Sequence, residues 1–136
     1  MVESVCVVAG VILDPTRKKV LIARRNRNQH QGGLWEYPGG KCELDEPFRD
    51  ALARELHEEL GIQVGDTEPL LRVDHAYPDK RVELHFFVVR SFSGQADGRE
   101  GQMVKWVCVA ELDDLAFPSA NAPVAGALRS WLQRNA

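Results

Sequence analysis

The stretch between Pro47 and Gly61 constrains the fold more than any other part of the chain. Leu52, Leu56 and Leu60 recur every four residues there, which predicts an amphipathic helix with one apolar stripe. Proline suits the first turn of a helix and glycine suits the position after its last turn, so the helix is predicted over residues 47–60. Such a helix has to bury its stripe against another layer of secondary structure.

The segments around this helix have the composition of strands, with β-branched and aromatic residues between turn signals. Strands are predicted at residues 5–13, 19–23, 70–75, 81–91 and 104–109, and a second helix at residues 122–133. Residues 26–33 are polar and predict a loop, and Pro38-Gly39-Gly40 predicts a turn. The chain of 136 residues contains no repeat or linker, so a single α/β domain spanning residues 1–136 is expected.

Composition excludes several classes of protein. Hydrophobic residues make up 44% of the chain and charged residues 27%, as in an average soluble domain. The net charge of −3 argues against a binder of duplex nucleic acid. No apolar run is long enough to span a membrane. Three cysteines without a C-x-x-C pair are expected to be reduced thiols, with Cys6 and Cys108 buried in valine-rich runs, and the expected location is the cytoplasm.

The predicted first helix carries an unusual set of carboxylates. Helical geometry places Glu55 and Glu59 beside the apolar stripe, one turn apart, with Glu58 further round. Arg54 can pair with Glu58 or with Glu46, but it cannot neutralise all of these charges. A solvated acidic face is the simplest explanation of a glutamate-rich helix, yet two of these glutamates border the core. Clustered hard oxygen ligands suit Mg²⁺ or Mn²⁺.

Other catalytic patterns are missing from the sequence. Lys41 follows two glycines, but Cys42 stands where a phosphate-binding Walker A loop needs serine or threonine. His57-Glu58 has no second histidine at the spacing of a zinc protease, and no nucleophile motif is present. Hydrolysis by a metal-activated water is the chemistry that remains.

The glutamate helix and the residues before it resemble the signature of the Nudix hydrolases. The matching positions are Gly40, Glu46, Arg54-Glu55-Leu56, Glu58-Glu59 and Gly61-Ile62. Residues 34–41, 77–79, 98–102 and 117–124 are in addition similar to the 8-oxo-dGTP diphosphatases (the MutT type) of that family. The resemblance implies an α/β/α sandwich with a mixed β-sheet, and Mg²⁺ or Mn²⁺ as cofactor.

The resemblance also implies a role for particular residues. The implied metal ligands are Glu55, Glu58, Glu59 and the carbonyl of Gly39, with Glu100 as a further ligand or as the base. Glu46 is expected to pair with Arg54 and to orient the helix. The expected contacts of the phosphate and sugar are Arg25 and His30, and those of the base are Glu36, Tyr37, Pro38, Gly39 and Asn121.

The implied activity is hydrolysis of 8-oxo-dGTP, and of 8-oxo-GTP, to the monophosphate and pyrophosphate, which would remove a mutagenic nucleotide from the pool. Asn121 bears on this expectation, because one amide can both accept from the N7–H of an oxidised guanine and donate to its O6. By position alone, Asn121 could instead cap the second helix. Two other hypotheses are hydrolysis of modified pyrimidine nucleotides, such as 5-hydroxy-dCTP, and a nucleotide-sensing module without turnover. The expected assembly is a monomer or weak homodimer.

Overall fold

A computed structural model describes residues 3–24 and 33–136 of the chain. Within these ranges the secondary structure follows the predicted order, with a few short additions. The strands are β1 (Glu3–Leu13), β2 (Lys19–Arg24), β3 (Trp35–Glu36), β4 (Gly39–Lys41), β5 (Gln63–Val64), β6 (Thr67–Ala76), β7 (Lys80–Val89), β8 (Phe92–Ser93) and β9 (Val104–Cys108). The α-helices are α1 (Phe48–Leu60) and α2 (Val124–Arg134), and 3₁₀ turns occupy Val109–Asp114 and Ser119–Asn121.

Strand β1 lies at the centre of a mixed sheet. It pairs with β7 in parallel over ten residues, from Glu3 to Ile12. On its other side it pairs antiparallel with β4 near its middle and with β2 at its end. Strand β6 continues the sheet beyond β7, while β3 and β9 both pair with β2. Strands β5 and β8 form a separate two-stranded ribbon.

The two helices cover opposite faces of this sheet. Successive residues of a strand point to opposite faces, and here both faces are apolar. One face packs against the predicted leucine stripe of α1 and contributes Val8, Ile12, Leu21, Phe87 and Val89. The other face packs against α2 through residues such as Val11, Leu13, Phe86 and Val88. The structure therefore confirms the α/β/α sandwich with a mixed sheet.

The first helix agrees closely with the sequence prediction, since it begins one residue after Pro47 and ends at Leu60. Gly61 adopts the left-handed conformation, with φ of 76°, and its backbone N–H closes the helix on the carbonyl of His57. The second helix begins at Val124, two residues later than predicted, because residues 119–121 form a 3₁₀ turn.

The prediction of a turn at Pro38-Gly39-Gly40 was wrong. Gly39 and Gly40 belong to strand β4, where they pair with Ala9 and Val8 of β1. A β-carbon on Gly39 would collide with the carbonyl oxygen of Val8, so the glycine here allows a close approach of two strands.

The cysteines are free thiols, but they are not all buried. Cys6 and Cys42 are half-buried, whereas Cys108 is exposed, contrary to the prediction. Val107 is buried, and the alternation along β9 directs the next side chain to solvent. None of the described helices is long and apolar enough to cross a membrane.

Candidate active site

The glutamates of α1 lie directly against the glycine strand β4. A β-carbon on Gly40 would collide with the carboxylate of Glu55, so the glycine leaves room for this carboxylate in its present position. The Glu55 side chain is 16% exposed, whereas Glu58, which is three residues further along the helix and faces solvent, is 55% exposed. The sequence prediction that two glutamates border the core and the third lies further round agrees with this arrangement.

Arg54 holds the carboxylates in an ion-pair cluster. Its Nε lies 2.9 Å from Glu46 Oε2, and its Nη1 lies 2.9 Å from Glu55 Oε1 and 3.6 Å from Glu58 Oε2. The hydrogen bond from Arg54 lowers the pKa of Glu46 to about 2. The predicted pairing of Arg54 with Glu46 is therefore present, and the same guanidinium also reaches Glu55 and Glu58 of the helix.

The pKa of the Glu59 carboxyl group is strongly raised. Burial raises its pKa to about 8, and the negative charges of Glu36, Glu55 and Glu100 act in the same direction. A hydrogen bond from the Gly39 backbone opposes this shift without cancelling it. The described residues offer no hydrogen-bond partner to the buried Oε2 of Glu59. An orphaned buried oxygen among acidic neighbours is chemically suited to a cation.

Glu100 comes to this cluster from the loop between β8 and β9. The backbone N–H of Arg99 and the side-chain amide of Gln102 both donate to the carbonyl of Glu59, at 3.0 and 3.1 Å. The Gln102 oxygen in turn accepts from the Glu100 backbone N–H at 2.9 Å. Glu100 itself is exposed. The loop therefore docks on the last turn of α1, where the charge of Glu100 acts on Glu59.

A cavity of about 320 Å³ opens beside this cluster, a volume at the lower end of the range for small-molecule sites. Its lining includes the predicted residues Glu36, Tyr37, Gly39, Glu59 and Asn121. Pro38 belongs to the same segment, and its carbonyl accepts from the Gly10 backbone N–H at 2.8 Å. The structure thus brings one predicted metal-site glutamate and four of the five predicted base contacts to one cavity. The predicted metal ligands Glu55, Glu58 and Glu100 are not part of its lining.

Two lysines and several apolar residues also line this cavity, and the sequence did not predict them. Lys41 and Lys80 line the cavity, and its apolar residues include Val5, Val7 and Leu84. The valines could not be assigned to the cavity because β1 is apolar on both faces. A signal for Lys41 was present, since it directly follows the two glycines.

Asn121 does not cap the second helix. The N-cap position belongs to Pro123, without a side-chain cap, and Asn121 lies in the preceding 3₁₀ turn. Within the described part of the chain, its side-chain amide makes one long hydrogen bond, 3.4 Å to the carbonyl of Pro118. The amide therefore has hydrogen-bonding capacity to offer a ligand in the cavity.

Tyr37 is a buried wall of the cavity. Its ring stacks on Phe117 with centroids 4.9 Å apart and meets Phe86 edge to face. The two remaining predicted site residues, Arg25 and His30, lie outside the described residues.

The raised pKa of Glu59 predicts a pH-dependent stability for the metal-free protein. The unfolded chain releases the Glu59 proton near pH 4.5, whereas the folded chain retains it up to about pH 8. Between these values the unfolded state binds fewer protons, so stability falls as the pH rises. We expect Glu59→Gln to raise the melting temperature at pH 8 in EDTA and to flatten its decline between pH 5 and pH 8. The control is Glu58→Gln on the exposed neighbour, and equal curves for wild type and Glu59→Gln would contradict the prediction.

Comparison with known proteins agrees with this geometry. The NUDIX domain family model matches residues 8–127. The 8-oxo-dGTP diphosphatase of Escherichia coli is 33% identical over 90% of this chain and 95% of its own length. The CTP pyrophosphohydrolase of the same organism is 39% identical over 78% of this chain and 77% of its own length.

A solved structure extends the similarity to the whole fold. It comes from a study of MutT from Aliivibrio salmonicida and Vibrio cholerae, has a TM-score of 0.83 and 35% identity, and aligns with 95% of this chain and 99% of its own. The glutamate helix, the glycine strand and the matching of nearly the full length together show that the chain belongs to the Nudix hydrolase family.

Proposed function

We propose that this Nudix hydrolase converts 8-oxo-dGTP, and 8-oxo-GTP, to the nucleoside monophosphate and pyrophosphate. The observation that carries the proposal is that a buried acidic oxygen and an available amide, those of Glu59 and Asn121, belong to the same cavity. The similarity to an 8-oxo-dGTP diphosphatase over nearly the full length of both chains supports the choice of substrate.

The carboxylates of α1 fit the divalent cations of the family. Glu55, Glu58, Glu59 and the Gly39 carbonyl would hold Mg²⁺, or Mn²⁺, with Glu100 as a further ligand. The unpaired Oε2 of Glu59 and the concentration of negative charge around it are the structural observations that fit such a cation. When bound, the cations supply neutralisation of the phosphate charge and a lowered pKa of the attacking water.

The protein itself has to orient the helix and accept a proton. Arg54 and Glu46 fix the position of the carboxylates through their paired hydrogen bonds. Two carboxylates can take the proton of the attacking water, Glu55 on the helix and Glu100 on the docked loop. By analogy with the family the water attacks the β-phosphorus. Arg25 and His30 are proposed to contact the phosphate and sugar, since a protein of net charge −3 needs local cations for a triphosphate.

Asn121 is proposed to recognise the oxidised base. Oxidation at C8 turns N7 of guanine from an acceptor into a donor, next to the O6 acceptor. An amide can serve this pair with its oxygen and its NH₂ group, whereas unmodified guanine leaves one group unpaired, at a cost of about 1–3 kcal/mol. The long bond between the Asn121 amide and Pro118 is one that a base could replace. Glu36, Tyr37, Pro38 and Gly39 are proposed to frame the same base.

A second candidate function is hydrolysis of pyrimidine nucleotides. The observation in its favour is the 39% identity to a CTP pyrophosphohydrolase. An aspartate in place of Asn121 would suit the amino group of cytosine better, because a carboxylate only accepts hydrogen bonds.

For the proposed function on oxidised purine nucleotides, we expect a monomer or weak homodimer that sanitises the nucleotide pool of the cytoplasm and thereby prevents mutation.

Turnover on a substrate panel tests the proposal. We expect pyrophosphate release with Mg²⁺ to be fastest, at low micromolar substrate, with 8-oxo-dGTP among dGTP, 8-oxo-dGTP, CTP, dCTP and 5-hydroxy-dCTP. Glu55→Gln and Glu59→Gln should each abolish turnover while retaining the circular dichroism of the wild type, because they remove carboxylates proposed to hold the cations. EDTA should do the same to the wild type. A preference for the cytosine nucleotides would favour the second candidate, and full activity in both variants would remove the assignment of the helix.

The amide of Asn121 makes a separate prediction about selectivity. We expect Asn121→Ala to lower the ratio of kcat/KM for 8-oxo-dGTP to that for dGTP by about tenfold or more, since the discriminating partner is lost. Asn121→Asp should shift the preference towards cytosine nucleotides. The matched control is Asn135→Ala, at the end of α2, where the side chain bonds the Trp131 carbonyl. An unchanged ratio in Asn121→Ala would leave the residue without a role in recognition.

A further inference from the structure

A second group of chemically reactive side chains lies on the α1-facing side of the sheet. Val8 and Ile12 of β1 pack against α1, so the alternation of the strand places Cys6 on the same face. The parallel register places Cys6 opposite Glu83 of β7, and His85 follows Glu83 on the same face. Cys42, just after β4, lies beside Cys6, since its backbone N–H donates to the Cys6 carbonyl at 3.0 Å.

The donor atoms of these residues converge. The Sγ atoms of Cys6 and Cys42 are 3.3 Å apart, and His85 Nε2 lies 2.7 Å from Glu83 Oε1. One ligand atom from each of Cys6, Glu83 and His85 falls within 4.8 Å of the others. In a tetrahedral zinc site with bonds of about 2.0–2.3 Å, neighbouring ligand atoms are roughly 3.3–3.8 Å apart. The donors of Cys6, Glu83 and His85 are therefore close to the spacing of ligands around one ion. Cys42, whose Sγ is next to that of Cys6, lies outside this group of three and would have to move towards the ion to become the fourth ligand.

The chemistry of the donors selects a different metal from the glutamate site. Thiolate, imidazole and carboxylate together suit Zn²⁺ or a similar borderline-soft ion, while Mg²⁺ prefers oxygen ligands alone. We propose that Cys6, Cys42, Glu83 and His85 form a binding site for such a transition-metal ion, separate from the catalytic cations. The proposal is independent of the nucleotide that the enzyme hydrolyses.

The surroundings of the site support its ligands as outer-sphere groups do in metal sites. Arg72 Nη2 lies 3.3 Å from Glu83 Oε2, and Glu83 Oε1 lies 2.7 Å from His85 Nε2, so the carboxylate is held between the guanidinium and the imidazole. Asp74 lies 3.0 Å from the Arg72 Nε and compensates the charge of the guanidinium. The His85 ring is oriented by stacking on Phe48, with centroids 4.0 Å apart.

Access and thiol chemistry set the conditions of binding. A cavity of about 290 Å³, lined by Arg72 and Asp74 among others, reaches Glu83, which is the member of the group that it contacts. Burial raises the pKa of the Cys42 thiol to about 12, so an ion has to displace its proton. An ion-pair network alone accounts for Arg72, Glu83 and His85, but it gives no reason for two thiols at the same point.

Cobalt provides an optical test, because Co²⁺ replaces Zn²⁺ and thiolate coordination produces strong absorption bands that oxygen ligands do not. Reduced protein is titrated with Co²⁺ in a phosphine reductant, with excess Mg²⁺ to occupy the glutamate site. We expect a thiolate-to-cobalt band that saturates at one equivalent in the wild type. Cys6→Ser and His85→Asn should each weaken Co²⁺ binding by at least about tenfold, and Zn²⁺ should bleach the band.

The control variant is Cys108→Ser, which removes the exposed thiol outside the group and should retain the band. Circular dichroism checks that each variant is folded, and Cys42→Ser serves as a second ligand variant. Absence of the band in the wild type, or its survival in both Cys6→Ser and His85→Asn, would overturn the proposal. The reduced wild type could also bind no cobalt and lose two titratable thiols in air. That result would overturn the metal site and indicate a Cys6–Cys42 disulfide in its place.

Discussion

The close approach of helix α1 to strand β4 is the constraint on which the rest of the site depends. Gly39 and Gly40 carry no side chains, so β4 can pair with β1 while the carboxylate of Glu55 lies against it. The helix is held there by its leucine stripe on one side and by the Arg54 ion pairs on the other. Neither contact alone would fix both the depth and the rotation of the glutamates.

The same approach creates a conflict within the folded protein. The Glu59 carboxylate is partly buried near three other carboxylates, and its pKa is raised because the folded chain opposes a negative charge there. Packing energy from the core keeps the helix in place despite this cost. Such local destabilisation is typical of functional sites, where the bound state relieves what the free state cannot.

The sequence predicted the elements whose patterns are strongly periodic. Helix α1 was placed within one residue, since Leu52, Leu56 and Leu60 fix its face and Gly61 its end. Strand β4 was wrongly predicted as a turn because Pro38-Gly39-Gly40 is a local turn signal. The two glycines instead allow close pairing with β1, which the local sequence does not encode. The apolar floor of the cavity could not be predicted, because β1 is apolar on both faces and its sequence does not show which face lines a cavity. The convergence of Cys6 and Cys42, 36 residues apart, depends on strand pairing that no local pattern encodes.

The parallel pairing of β1 with β7 has a consequence for how the chain folds. During synthesis, α1 is complete long before β7, whose Phe87 and Val89 finish the surface that buries the helix. Residues that pair between β1 and β7 are almost eighty positions apart in the sequence, and such non-local contacts form slowly. Until β7 docks, the apolar surface that covers the leucine stripe is incomplete. Glu55 and Glu59 border that stripe, so their carboxylates lose hydration only as the sheet is completed.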